Sequence, residues 1–409
     1  MAKKLSSVLG IDVGSQRIKV CEMRAQGREP VITALGIVDT PEGSVDHTGI
    51  YNSDAVGTAI KQAISESGAT TSHVVITIAG QASVLVRTLE VPRMNPAELK
   101  EHMQWEINRN IPFAENTIVS DYKSLPDEDP NSLNIDVVMA ISPQSAIDTT
   151  LACLKRAGKQ AAAIDVEPLS MARSIQSSYD DILYSKTVCI VDVGHKTTSI
   201  NIFRGSKLLM PRQVPVGGEM FTKAIADALT VNMREAEQLK IEKCEIPEGA
   251  AETMVSGSPF DLPGSTQEFQ PYNPFSDDPL PTYNAPAPTD VTVPPALNST
   301  PVVSDNPEGM QLYHAIAPVL DEFVAEIRRS IDYFKSRGGD VDQIELCGGG
   351  SKLKGLGQFL EKSVGVACDA YDPMRRLNVN AKKVTAEFVD DHRQEFAVAV
   401  GNGLYIFFD

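Results

Sequence analysis

Two stretches decide how this chain is read: "GIDVGSQRIKV" at 10–20 and "IVDVGHKTTSINI" at 190–202. In each, a β-branched run carries an aspartate (Asp12, Asp192), passes a glycine (Gly14, Gly194) and resumes as a second strand-like run. Ile11, Val13, Ile18, Val20 and Met23 are expected on one side of the first hairpin, with Gly14 and Ser15 as its two-residue turn. A tight turn presents consecutive backbone N–H groups, a nest for phosphate oxygens. An adjacent carboxylate suits Mg²⁺, which keeps several waters and takes few carboxylates. Ser15, Gln16, His195 and Thr197 complete the two turns, and Thr198 adds a further hydroxyl. One such hairpin is ordinary turn chemistry. Its recurrence about 180 residues later suggests a duplicated domain closing on one ligand from two sides.

Outward from these hairpins, "AVGTAIKQAISESG" (55–68) has helical apolar spacing, and "HVVITIAG" (73–80) reads as a buried strand. "NPAELKEHMQWEINRNIPF" (95–113) starts a helix at cap Asn95 and Pro96 and ends it at Pro112. A strand (134–142), a helix (143–158) and another strand (160–167) follow, so Val84 to Ala162 reads as a small α+β unit set into a larger domain. Asp165 and Glu167, on the strand that rejoins that domain, are candidates to orient a water; both could equally be strand-end carboxylates. The segment 219–243 is helical with a break near Thr230, and Gly217 and Gly218 precede it. Glu237 and Lys240, three apart, share a helix face: an ordinary surface ion pair, or a contact to ribose and base. Helix 318–337 places Pro318 in its first turn and a core stripe along Leu320, Phe323, Val324, Ile327, Ile331 and Phe334. Gly348, Gly349 and Gly350 lie between a strand and a helix, where backbone can approach a planar ligand closely. Residues 394–408 close the chain as a helix.

Length and composition bound the rest. A chain of 409 residues suggests more than one domain, and 42% hydrophobic residues suffice for a sizeable core. With 37 basic against 54 acidic residues the net charge is -17, which argues against nucleic acid and against electrostatic binding to anionic lipid. Six scattered cysteines form neither a disulfide framework nor a zinc site and fit a reducing cytoplasm. No apolar run is long enough to span a membrane, and Asp12 interrupts what would otherwise follow Lys3 and Lys4 as a signal peptide. Residues 245–310 hold 13 of the 26 prolines and no Lys, Arg or His. That composition predicts a disordered acidic spacer rather than a proline-rich docking site.

The order of these parts resembles the actin-like ATPase superfamily in its FtsA-type arrangement. "RTLEVPRMNPAELKEHMQWEINRNIPF", "GGEMFTKAIADAL", "EAEQLK" and "EIRRSIDYF" resemble the type IV pilus assembly protein PilM family over nearly the whole chain except 245–310. The resemblance implies an α/β, actin-like (ribonuclease H-like) two-lobed ATPase fold with an inserted α+β SHS2-like subdomain. The first lobe would take 1–83, 163–186 and 395–409, the inserted subdomain 84–162, and the second lobe 187–244 and 311–394. It implies ATP and Mg²⁺ in the cleft, with Asp12 and Asp192 on the metal through water. Gly14, Ser15, Gln16, Gly194, His195, Thr197, Gly217, Gly218, Glu237, Lys240, Gly348, Gly349 and Gly350 would hold the nucleotide. It implies a cytoplasmic place at the inner face of the inner membrane, recruitment of the N-terminal tail of a PilN-like membrane protein, and homo-oligomers. Contacts to pilus motor ATPases and the platform protein belong to the same expectation. Ile111, Pro112 and Phe113 are the expected tail contacts, because Phe113 follows a helix-ending proline and is hard to bury locally. Two other readings are an actin-fold ATP-hydrolysing enzyme or sugar kinase, and an FtsA-like filament protein. The ending "GLYIFFD" shows no basic amphipathic membrane helix and sets the FtsA reading lower.

Overall fold

A computed structural model of the chain describes residues 5–78, 80–114, 117–126, 131–251 and 307–408. Strands β1 (Ser7–Val13), β2 (Arg17–Gln26) and β3 (Glu29–Asp39) run antiparallel; α1 (Ser53–Ser67) follows, and β4 (His73–Thr77) lies parallel to β1. Strand β5 (Leu85–Pro92), helix α2 (Pro96–Arg109), β6 (Ile118–Ser124) and β7 (Asn134–Pro143) then build a separate three-stranded sheet in the order β5-β7-β6. Helix α3 (Gln144–Arg156) leads to β8 (Gln160–Asp165), parallel to β4, and α4 (Glu167–Ser178) and α5 (Asp181–Ser185) come next. The pattern then repeats with β9 (Thr187–Val193), β10 (Thr198–Arg204), β11 (Lys207–Val214), α6 (Gly218–Leu229) and α7 (Met233–Glu242). The long α8 (Pro307–Ser336), β12 (Gln343–Cys347), α9 (Leu356–Val364) and β13 (Cys368–Ala370) complete the second sheet. Strand β14 (Asn378–Val379) returns to β3, and α10 (Ala386–His392), α11 (Ala397–Gly403) and α12 (Tyr405–Phe408) close the fold.

The two large sheets share one topology: β3-β2-β1-β4-β8 in the first and β11-β10-β9-β12-β13 in the second, with β14 added at the edge of the first. Duplication therefore extends from the hairpins to whole sheets. On one face of the first sheet Ile11, Val13, Ile18 and Val20 pack under Val56 and Ile60 of α1 and Cys153 and Leu154 of α3. Its other face packs Cys21, Met23 and Ile32 against Ala399, Val400 and Leu404. Met23 thus faces away from Ile18 and Val20, because side chains alternate along a strand and 23 is an odd step from both. In the second sheet Ile200, Ile202 and Ile344 meet Phe323 and Ile327 of α8.

Several boundaries differ from the sequence reading. The α+β unit expected over 84–162 ends at β7: α3 buries its apolar face beside α1, and β8 belongs to the first large sheet. The sequence places a helix over 143–158 but does not show which sheet it covers. The strand expected over 160–167 stops at Asp165, and Glu167 opens α4, where Pro168 suits a first helical turn. Pro318 lies inside α8 rather than at its start, since Leu312, Tyr313 and Ile316 extend the buried stripe upstream. The hairpin turn centres on Ser15 and Gln16, because Gly14 N–H donates to the Arg17 carbonyl. Of the expected spacer 245–310, residues 252–306 lie outside the described residues. Its ends are ordered: Ile246, Ala250 and Ala251 are buried in the second-sheet core, and Pro307 begins α8.

Candidate functional site

The two hairpins face each other across a cleft of about 400 Å³, the size of a small-molecule site. Their turns are near copies. Gly14 N–H donates to the Arg17 carbonyl and Gly194 N–H to the Thr197 carbonyl, both at 3.0 Å. A Cβ on Gly14 would stand 2.8 Å from the Arg17 carbonyl oxygen, and one on Gly194 2.7 Å from that of Thr197. Close backbone approach, rather than unusual φ, therefore requires both glycines. The registers place Asp12 opposite Lys19 and Asp192 opposite Ser199.

The cleft walls carry Asp12, Gly14, Ser15, Gln16, Asp192, Gly194, His195, Thr197, Gly218, Glu237, Lys240 and Gly348 to Gly350. Gly217 stands behind the second turn, where a Cβ would meet the His195 carbonyl oxygen at 2.5 Å. Thr198 is buried and donates to the Val216 carbonyl at 2.6 Å, so of the adjacent threonines only Thr197 faces the cleft. Lys240 donates to Glu237 Oε2 at 2.7 Å, to Thr222 Oγ1 at 2.7 Å and to the Gly218 carbonyl at 3.0 Å. The pair on α7 is thereby fixed to the start of α6 instead of standing in solvent. Burial works against the Glu237 charge, yet Lys240 and Thr222 hold its carboxyl below the usual range.

Acid dominates the floor. Lys19 Nζ donates to Asp12 Oδ2 at 2.8 Å. Burial works against the lysine's charge, but Asp12 overcomes it and raises its pKa. Asp192 is pushed up to about 6 by burial and then by the charge of Asp12. Glu167 is half-buried nearby, accepting from Ser199 Oγ at 2.6 Å and Asn201 Nδ2 at 3.1 Å. Burial, then Asp192 and Asp12, push it up to about 8, against those two hydrogen bonds. Asp12 and Asp192, with Lys19 beside them, leave negative charge that a divalent cation would relieve. Among the described residues no three such side chains stand close enough to ligate one metal directly. Asp12 and Asp192 are the cleft carboxylates that could meet the waters of a hydrated Mg²⁺.

Asp165 is elsewhere. It pairs with Arg173 and accepts from the Val166 N–H at 2.7 Å, an arrangement that ties β8 to α4. Its expected part in orienting water is replaced by this structural pairing. Ile111, Pro112 and Phe113 come after α2 at the three-stranded sheet, outside the cleft. Phe113 is half-buried against Val91, Leu99 and Met103, so the small sheet does bury it locally; Pro112 is exposed. Sequence reasoning missed Arg17, Lys19, Phe221, Ile241, Lys352, Leu353, His392 and Glu395 in the cleft wall. Lys19 had a signal, since a hairpin centred on 15–16 pairs it with Asp12; the others come from distant elements and had none.

Residues 10–261 match the family model described as Type IV pilus assembly protein PilM, and residues 189–401 match that of the cell division protein FtsA. The chain is similar to a solved structure described as the PilM-PilN type IV pilus biogenesis complex, with a TM-score of 0.74, 24% identity and 100% of both chains covered. The cell division protein FtsA of Pseudomonas aeruginosa is 26% identical over 63% of this chain and 66% of its own length. That of Neisseria meningitidis is 22% identical over 56% of this chain and 60% of its own. The chain thus spans 60% to 66% of the length of these curated relatives. The fold is actin-like.

Proposed function

From the premise that this chain belongs to the type IV pilus assembly protein PilM family, we propose that it is an ATP-binding scaffold of the pilus inner-membrane platform. It would recruit the cytoplasmic tail of a PilN-like membrane protein. The observation that carries the nucleotide reading is the pair of matched turns, Gly14–Arg17 and Gly194–Thr197, on opposite walls of one acidic-floored cleft. Their backbone N–H groups suit phosphate oxygens, and Lys19 supplies a cation beside them. Asp12 and Asp192 would orient the waters of Mg²⁺, which when bound supplies charge neutralisation at the phosphates. Glu237 and Lys240 would meet the ribose and base, with Gly348 to Gly350 letting backbone close on the adenosine.

Glu167 is the residue through which hydrolysis would run. In its neutral form it cannot take a proton from an attacking water. Burial and the charges of Asp192 and Asp12 push its carboxyl up to about 8, which favours the neutral form at neutral pH and supports reading the nucleotide as a switching ligand. No helix among the described residues is long and apolar enough to cross a membrane, which accords with attachment through a partner. Self-assembly and contacts with motor ATPases and the platform protein belong to the same reading.

Two measurements test it. Purified protein is incubated with MgATP, with and without a panel of sugars; the scaffold reading expects slow, sugar-independent ATP loss. Sugar-stimulated turnover would make this a kinase. A pull-down with the N-terminal segment of the partner membrane protein tests recruitment. Failure to capture it would leave the FtsA-like reading in place.

A further inference from the structure

We propose that Glu395 is the positioning residue of an inter-lobe latch, one buried carboxylate that ties the phosphate-side turn of the first sheet to the glycine turn of the second. It sits where the chain crosses between them. On one side, Gly348 N–H donates to the Gln394 carbonyl at 2.9 Å, and Ser351 Oγ approaches Gln394 Oε1 at 3.4 Å, fixing this segment to the second sheet. On the other side, α11 begins at Ala397 and lies against β1 so closely that a Cβ on Gly10 would stand 2.1 Å from the Ala399 carbonyl oxygen. Asn402 Nδ2 donates to the Ile11 carbonyl at 2.9 Å, fixing α11 to the first sheet.

The carboxylate at this crossing gathers three donors. Arg17 Nη1, from the end of the first turn, reaches both its oxygens at 3.2 Å. Lys352 Nζ, two residues beyond Gly350, meets Oε1 at 2.5 Å, and His392 Nδ1 lies 2.9 Å from the same oxygen. The Glu395 side chain is only 2% exposed, whereas Arg17 and Lys352 are 35% and 34% exposed and line the cleft. Burial disfavours the carboxylate charge, but the bonds from His392 and Lys352 and the charge of Arg17 hold its pKa well below the usual range. Glu395 stands at the crossing between the two sheets. Its bonds to one cation from each lobe act as two stays that set how far apart the two turns stand. Removing the charge leaves Arg17 and Lys352 repelling each other across the rim, which slackens the closed arrangement. The latch is a property of the fold; its effect on nucleotide rests on the cleft being an ATP site.

The test reads inter-lobe distance on the full chain. Cys368 is the one half-buried thiol and the other five are buried, so a Cys368→Ser background takes spin labels at Lys61→Cys on α1 and Arg234→Cys on α7, both exposed. Ligand-free Glu395→Gln is expected to give a broader distance distribution shifted to longer values, with Arg17→Gln and Lys352→Met each giving part of that change. Dissociation of MgATP from Glu395→Gln should be roughly tenfold faster than from the wild type, a coupling of ordinary size. An unchanged ligand-free distribution in a folded Glu395→Gln overturns the latch. If that variant fails to fold, unchanged distributions in both Arg17→Gln and Lys352→Met overturn it. Absence of MgATP binding to the wild type would end the nucleotide reading alone, because the ligand-free distances decide the latch without it.

Discussion

Asp12 and Asp192 occupy matching places in two hairpins, yet their partners differ. Asp12 faces Lys19 at 2.8 Å, whereas the residue opposite Asp192 is Ser199, whose hydroxyl donates to Glu167. The two hairpins therefore differ in what neutralises their aspartates: a lysine stands beside Asp12, and a serine that serves Glu167 stands opposite Asp192. Both aspartates and the turn glycines are legible in the sequence, because a strand, an acid and a glycine recur in the same order. Glu167 reads there either as a residue that orients a water or as a strand-end carboxylate; that it opens α4 beside Ser199 and Asn201 depends on where β8 stops, which alternation does not reveal. Its raised pKa has a signed consequence. In the folded protein Glu167 keeps its proton up to about pH 8, while in the unfolded chain it loses it at the ordinary glutamate value. Between those values the folded state binds more protons, so this residue makes stability fall as pH rises, by at most about 1.4 kcal/mol per unit. Glu167→Gln removes that dependence. The melting-temperature difference in favour of Glu167→Gln should widen from pH 5 to about 8 and stay flat above it. A difference that does not change with pH would show that Glu167 titrates normally.

At the scale of elements, the glycine run after β12 separates two roles that the sequence could not distinguish. Gly348 has φ +82°, and a Cβ there would meet Asp192 Oδ1 at 2.2 Å and the Val193 carbonyl oxygen at 2.5 Å. Nothing lies nearer than 3.7 Å to the same position on Gly349. Gly348→Ala should cost about 1–3 kcal/mol in backbone strain alone and weaken nucleotide binding, while Gly349→Ala should leave stability nearly unchanged. Denaturant titration of both compares them directly, and equal losses would contradict these separate roles. Helix α2 is legible from its ends: Asn95 and Glu98 form a reciprocal cap. The break at Thr230 is likewise real, with that residue at φ 56°. The segment after α2 is less settled by pattern, since Phe113 is half-buried on the small sheet. If the exposed part of Phe113 meets the PilN-like tail, Phe113→Ala should weaken its capture and leave MgATP affinity intact, because the cleft lies on other elements. Pull-down and titration on one preparation check this, with circular dichroism as a control. Retained capture would move attention to the smaller cleft of about 180 Å³ between Thr48–Tyr51 and Ala146, Thr149 and Thr150, and joint loss would make Phe113 core.

For the whole molecule, the duplicated sheet order explains why so much of the fold can be read from two short stretches. Each carries the hairpin that starts a five-strand pattern, and the helices between later strands enforce parallel crossovers. Which sheet covers α3 depends on contacts distant in sequence, whereas the upstream extent of α8 is written in the spacing of Leu312, Tyr313 and Ile316 and is obscured by Pro318. Residues 252–306 are predicted from composition to contribute little to stability. Replacing 254–304 by a short Gly-Ser linker should leave the melting temperature nearly unchanged, since loop closure shifts by only about 0.6 kcal/mol per doubling of length. A large fall would mean that the segment packs. The excision begins after Ala251 because Ala250 and Ala251 are buried. The central claim is that both hairpins hold one magnesium nucleotide between them. Calorimetric titration of MgATP into the wild type, Asp12→Ala and Asp192→Ala tests it most directly. Each loss of a charge-assisted contact should cost on the order of 1.5–3 kcal/mol, roughly ten- to a hundred-fold in affinity; wild-type affinity in both variants would contradict a site shared between the two turns.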